Sequence, residues 1–230
     1  MRVSLIIPAA GRGRRMGGGV PKAYRLLRGT PLLLRSLAAF RGIPEIREVV
    51  LAVPPEDVER LPRRWGRRLL RLGVTRIVPG GARRQDSVAS ALAVTDPRST
   101  HVLVHDAARP LVTKEVIRRV LAAGRRHGAV IPAVPVADTI KRAARGGRVV
   151  ATLDRDGLWA VQTPQLFRRD LLLTVMERAR RRGLEGTDEA RLVEAAGHDV
   201  RIVPGDPVNL KLTTPSDFII ASALCARRGR

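Results

Sequence analysis

Near the start of the chain an unbroken apolar run turns directly into small residues, glycines and cations: Leu5-Ile6-Ile7-Pro8-Ala9-Ala10-Gly11-Arg12-Gly13-Arg14-Arg15-Met16-Gly17-Gly18-Gly19-Val20-Pro21-Lys22. The apolar part has the length and character of a buried strand. Small residues after a strand let the backbone approach a ligand closely, and glycine reaches φ values that other residues avoid. Successive N–H groups in such a turn form a concavity for anions. With Arg12, Arg14, Arg15 and Lys22 around it, its natural guest is a polyphosphate. The dinucleotide fingerprint is excluded, because Met16 stands where its third glycine belongs and no acid follows about twenty residues on. The Walker loop is excluded by the absence of Gly-Lys-Ser/Thr. Glycines alone would equally describe a surface turn with solvated arginines; Pro21-Lys22 tips the balance toward phosphate.

Further apolar runs alternate with helical patterns. Strands are expected at 3–8, 48–53, 75–78, 101–105, 129–133 and 200–203, and helices at 32–40, 87–93, 113–126, 170–182, 189–196 and 216–225. Thr214 and Pro215 open the last helix as N-cap and first helical residue. Such alternation predicts an α/β fold, a mostly parallel sheet with helices on both faces, in which ligands lie beyond the carboxyl ends of the strands. With 230 residues and 44% hydrophobic content, one domain spanning 1–230 is expected. Its start lacks signal-peptide organisation and its apolar runs are too short for a membrane span. With a lone cysteine, Cys225, this makes the cytoplasm the expected compartment and rules out a disulfide framework.

The formal charge of +22 comes from 39 arginines and 4 lysines against 21 acids. Aromatics make up only 3% and the basic residues form no single tail, so nucleic-acid binding is not expected as the main role. Two of the four lysines, Lys22 and Lys211, lie in the loops singled out here for phosphate chemistry. A lysine kept where arginine is the rule marks a place where a compact ammonium matters.

Segment 134–161 departs from the alternation. Gly146-Gly147, between Thr139-Ile140-Lys141-Arg142 and Arg148-Val149-Val150-Ala151-Thr152, is a hairpin turn. A hairpin outside the main sheet leaves strand edges unpaired unless it folds onto its own core or meets another chain.

Three loops carry further chemistry. Pro79-Gly80-Gly81-Ala82-Arg83-Arg84-Gln85-Asp86-Ser87 joins a strand to a helix, and its glycines suit contact with a base or ribose. Ser87 is then a helix N-cap or a nucleotide partner. In His105-Asp106-Ala107-Ala108-Arg109-Pro110, Asp106 is a carboxylate at a strand's carboxyl end, suited to Mg²⁺, which binds through one or two carboxylates plus substrate phosphates. Arg109 can meet either substrate phosphate or Asp106. His101 and His105 lack a third ligand for zinc. Finally, in Val208-Asn209-Leu210-Lys211-Leu212, Lys211 alternates with apolar neighbours, as on an edge strand.

Taken together, Ala-Ala-Gly-x-Gly-x-Arg-Met followed by Pro-Lys, Gly-Gly-x-x-Arg-x-x-Ser-Val, Asp-Ala-Ala-Arg-Pro, Asp-Thr-Ile-Lys and Arg-x-Gly-Leu-Trp resemble the sugar-phosphate nucleotidyltransferases. More narrowly, the chain resembles the 2-C-methyl-D-erythritol 4-phosphate cytidylyltransferases of the non-mevalonate isoprenoid pathway, over about residues 3–220. The resemblance implies a Rossmann-like fold with residues 134–161 as an inserted arm that makes a homodimer. It implies CTP and methylerythritol phosphate as partners, Mg²⁺ as cofactor, and neither nucleic acid nor membrane. Ala9, Ala10, Gly11, Gly80, Gly81, Ser87, Asp106 and Ala107 would bind nucleotide, with Gly81 and Ser87 at the cytosine and Asp106 holding the metal. Arg15 and Lys22 would neutralise the α-phosphate and leaving pyrophosphate. Lys211, with Arg155 of the partner subunit, would position the incoming phosphate. Thr139, Thr187 and Arg109 would complete the acceptor site. Ala23 departs from the glutamine common after Pro-Lys. Ribitol 5-phosphate is the nearest alternative acceptor.

Overall fold

The computed structural model describes residues 1–11 and 20–228. The chain folds, in order, as β1 (Val3–Pro8), a short hairpin of β2 (Leu26–Leu27) and β3 (Thr30–Pro31), α1 (Leu32–Ala39), β4 (Ile46–Val53), α2 (Arg60–Arg71), β5 (Val74–Pro79), α3 (Arg84–Ala93), β6 (His101–Val104), α4 (Lys114–Gly124) and β7 (Ala129–Pro135). It continues through β8 (Ile140–Ala143), β9 (Val149–Leu153), β10 (Trp159–Val161), β11 (Gln165–Arg168), α5 (Arg169–Arg181), α6 (Glu189–Ala195), β12 (Arg201–Pro204) and α7 (Pro215–Arg228).

β5, β4, β1 and β6 lie side by side and parallel. β11 follows, antiparallel to both β6 and β7; β10 pairs antiparallel with the far end of β7, and β12 lies parallel along the other edge of β7. The sheet is thus mostly parallel, as the alternation requires, with two reversed elements, β10 and β11. Both faces are covered, so β1 is apolar at nearly every position rather than at alternate ones. Val3, Leu5 and Ile7 pack with α1, α2 and α4, while Ile6 packs with α3, α5 and α6. Leu5, Ile6 and Ile7 are all 0% exposed, and burying each stabilises the fold by about 1.5–3 kcal/mol. A smaller cluster of Leu27, Leu32, Leu111, Leu212 and Ala221 seats α7. Thr214 accepts the Asp217 N–H at its start, and Pro215 is its first helical residue.

Several segments differ from expectation or escape it. α2 is not among the expected helices; its helical face is Leu61, Trp65 and Leu69, all buried, amid arginines. Trp65 meets Tyr24 edge-on at 5.4 Å and lies under the Arg64 guanidinium. β11 is a non-local pairing that its four residues do not announce. α3 begins three residues before the expected start, because the Asp86 carboxylate accepts the Arg83 N–H at 3.2 Å. Ser87 therefore sits inside the first turn and is not the N-cap. Lys211 lies on irregular backbone, not on an edge strand: its neighbours are held by separate contacts, the Leu212 N–H donating to the Ala108 carbonyl and the Asn209 side-chain amide to the Thr163 carbonyl and to Gln162 Oε1.

β8 and β9 pair only with each other, in a two-stranded sheet of their own. Gly146 and Gly147, at φ +85° and +82°, make the turn, which only residues tolerant of left-handed backbone allow. Val149, Val150 and Leu153 on this hairpin are exposed.

Candidate active site

The carboxyl ends of β1, β4, β5 and β6 open into one cavity of about 680 Å³, within the range of small-molecule sites. Its walls include Ala9, Ala10, Gly11 and Lys22 from the first loop, and Gly80, Gly81, Arg84 and Ser87 from the second. Asp106 and Ala107 close it from β6, and Lys211 from the segment before α7. Positions spread over two hundred residues thus converge where a parallel sheet puts ligands.

The loops are pinned by backbone. The Ala9 N–H donates to the Ala52 carbonyl and the Gly80 N–H to the Val53 carbonyl, both at 2.7 Å. Gly80 permits this closeness: a Cβ there would lie 2.4 Å from the Ala10 Cβ and 2.8 Å from Ser87 Oγ. Ser87 Oγ accepts the Gly81 N–H at 3.1 Å and lies 3.2 Å from the Arg83 carbonyl, to which it donates. Lys22 starts a 3₁₀ turn, Lys22–Tyr24, after Pro21. Arg15 lies outside the described residues.

Asp106 is the electrostatic centre. It is 6% exposed, and each carboxylate oxygen meets a different cation. Arg84 Nε donates to Oδ1 at 2.9 Å and Lys211 Nζ lies 2.7 Å from Oδ2. Burial alone would raise its pKa, but Arg84 and Lys211 outweigh burial and hold it far below the usual carboxylate range. Arg84 reaches back with Nη1 to both oxygens of Glu189, each at 2.8 Å. Glu189 is 1% exposed; burial pushes its pKa up against the pull of Arg84. No group of three or more His, Cys, Asp or Glu side chains among the described residues could cage a metal. A single carboxylate lining a cavity of this size does fit a hard cation that arrives with its phosphates.

Behind Asp106 runs a buried polar chain. The Asp106 N–H donates to Thr163 Oγ1 at 3.1 Å, which lies 3.0 Å from His105 Nδ1. His105 Nε2 lies 3.2 Å from the Arg109 carbonyl, an acceptor, so the proton belongs on Nε2 and Nδ1 accepts from the threonine. Full burial lowers the His105 pKa from 6.5 to about 3. Between those values the unfolded chain binds a proton that the folded chain does not, so stability falls as pH falls. This histidine alone is expected to cost about 2 kcal/mol between pH 7 and pH 5. Denaturant unfolding at the two pH values checks this, and His105→Gln should flatten the difference.

Arg109 faces away from the cavity, donating to the Asn209 carbonyl at 2.7 Å and the Val161 carbonyl at 3.2 Å. It contacts neither Asp106 nor the space a phosphate would fill. Thr139 and Arg155 are exposed at the base of the β8–β9 hairpin, where Arg155 donates to the Ala137 carbonyl at 2.6 Å. Thr187 is exposed just before α6. These three do not line the cavity within one chain. Sequence reasoning passed over Arg84 and Glu189. The arginine of Gly-Gly-x-x-Arg was available as a signal, but its acidic partner, 105 residues away, had none.

Comparison with known proteins agrees with this architecture. The family model for 2-C-methyl-D-erythritol 4-phosphate cytidylyltransferase matches residues 3–227. The enzyme of that name from Symbiobacterium thermophilum is 50% identical over 233 residues, covering 99% of this chain and 94% of the relative. The crystal structure of the Thermus thermophilus enzyme of that name superposes with a TM-score of 0.82 at 39% identity, covering 98% of this chain and all of the other. A 4-diphosphocytidyl-2C-methyl-D-erythritol synthase from Anaerococcus prevotii gives 0.83 at 29% identity over 98% of each chain. With its sheet, its cavity-lining loops and a match over almost its whole length, the chain belongs to the 2-C-methyl-D-erythritol 4-phosphate cytidylyltransferase family.

Proposed function

We propose that Lys22, Asp106 and Lys211 form the reacting centre of this cytidylyltransferase, completed by Arg15 and by Arg155 of the partner subunit. The reaction is the family's: CMP passes from CTP to 2-C-methyl-D-erythritol 4-phosphate, giving 4-CDP-2-C-methyl-D-erythritol and pyrophosphate for isoprenoid synthesis. A phosphate oxygen of the acceptor bonds to the α-phosphorus of CTP, and the bond from that phosphorus to the bridging oxygen of pyrophosphate breaks. Both nucleophile and leaving group are anions, so no general base is needed; positioning and charge neutralisation do the work. Lys22 faces the departing pyrophosphate and Lys211 the incoming phosphate. Backbone groups of Ala9 to Gly11, Gly80 and Gly81 hold the nucleotide, with Ser87 near the cytosine and Ala107 near the ribose. Bound through Asp106, Mg²⁺ would add Lewis-acid neutralisation of the phosphates. The observation that carries this reading is the convergence of Lys22, Asp106 and Lys211 on one cavity.

The arm, residues 134–161, makes the homodimer and carries Thr139 and Arg155 into the partner's acceptor site, where Thr187 supports the phosphate. What supports this is the hairpin's isolation: it pairs with nothing else, and Val149 and Val150 are 56% and 50% exposed. Such edges are normally covered. The double substitution Val149→Asp/Val150→Asp is expected to halve the mass in sedimentation and lower pyrophosphate release with methylerythritol phosphate about 100-fold. CTP affinity should stay unchanged. Ribitol 5-phosphate in the same assay should give no release above background. A fully active monomer would remove the arm from the acceptor site.

A further inference from the structure

The ion pairs around Arg84 are unevenly used. Its guanidinium presents Nε and Nη2 along one edge, the pair a carboxylate engages when it binds bidentately. Asp106 meets Nε alone, and Nη2 is buried without a hydrogen-bond partner. The opposite nitrogen, Nη1, is taken by both oxygens of Glu189 at 2.8 Å. Glu189 is itself fixed at the first position of α6, whose approach is tied to α3. The Gln85 side chain donates to the Leu184 carbonyl and accepts the Gly186 N–H, at 3.1 and 3.0 Å. Glu189 thus engages the nitrogen away from the Asp106-facing edge, and Asp106 makes a one-bond contact that leaves half of the fork idle.

We infer that Glu189 is a positioning residue that keeps Arg84 from closing bidentately on Asp106, and thereby sets how readily the cleft takes up a divalent cation. The inference rests on Asp106 as the metal anchor. Without the Glu189 charge, Arg84 has one carboxylate left and an unused N–H directed along the edge that faces it. Closing the fork would bring Nη2 to Oδ2, now occupied by Lys211, and an arriving cation would have to break a bidentate ion pair instead of a single hydrogen bond.

The test is titration of Mn²⁺ into the full-length enzyme with saturating CTP and no acceptor, following free Mn²⁺ by its paramagnetic resonance. Glu189→Gln, which keeps the size and one acceptor oxygen but removes the charge, is expected to raise the Mn²⁺ dissociation constant at least tenfold. Arg84→Gln removes the competing cation and should bind Mn²⁺ at least as tightly as the parent, so the two substitutions act in opposite directions. A dissociation constant within threefold of the parent for Glu189→Gln overturns the inference. So does equal weakening by both substitutions, which is the signature of a merely structural role. Should Glu189→Gln fail to fold, Arg84→Gln decides: tighter or unchanged uptake supports the inference and weaker uptake refutes it. Asp106→Asn is the separate check on the metal anchor. If it leaves Mn²⁺ uptake unaltered, that anchor fails; if it abolishes uptake while Glu189→Gln has no effect, only the role of Glu189 fails.

Discussion

Asp106→Asn is expected to cut turnover by about 10²–10³-fold or more, the usual cost of removing one preorganised electrostatic contact, while CTP binds more tightly in the absence of metal. The two effects share one cause. In the native cleft Arg84 and Lys211 are both occupied by the Asp106 carboxylate. An amide of the same size releases Lys211 and the Nε of Arg84 to the triphosphate, strengthening ground-state binding, but removes the oxygen that would anchor the cation in the proposed centre. Arg84 keeps Glu189 and Lys211 is 41% exposed, so neither charge is stranded in the interior and the fold should survive. Steady-state pyrophosphate release and calorimetric CTP binding in a chelator measure the two effects. Loss of turnover with weakened chelator-insensitive CTP binding would instead point to general damage to the cleft.

Lys22→Ala is expected to lower turnover by about 10²–10³-fold with thermal stability unchanged. Lys22 sits half-buried on a short 3₁₀ turn at the mouth of the cavity, where, in the proposed reaction, its ammonium would meet negative charge as the pyrophosphate departs. Lys22→Arg separates charge from shape. Arginine keeps the charge on a larger planar head and should recover only part of the rate, in keeping with a chain that uses arginine almost everywhere else. Near-parent turnover in Lys22→Ala would remove this residue from the chemistry.

The sequence made the doubly covered sheet legible because burial on both faces writes continuous apolar runs, as in β1, β4 and β6. It hid α2, whose anchors Leu61, Trp65 and Leu69 keep helical spacing but are diluted by arginines and interrupted by Pro62 and Gly66. β11 was hidden for a different reason: its register is fixed by β6 and β7, more than thirty residues away, and four residues carry no period of their own. The cavity was legible wherever glycine or a lone acid stood at the end of a strand, as at Gly80 and Asp106, or a lone lysine followed proline, as at Lys22. Lys211 was found by its motif but assigned the wrong backbone, since alternation with Leu210 and Leu212 reports only that Leu212 is buried. What no local pattern reveals is pairing at a distance: Arg84 with Glu189, and Arg109 with the carbonyls of Asn209 and Val161.

Because β10 and β11 run against their neighbours, the excursion from 136 to 158 leaves the sheet at Pro135 and returns at Trp159, directly opposite it. Everything between those two residues can lengthen, shorten or change composition without moving a single rung of the ladder beneath the nucleotide. The architecture thus separates a core sheet, whose rungs are fixed by burial on both faces, from an outer excursion whose length and composition that sheet does not constrain.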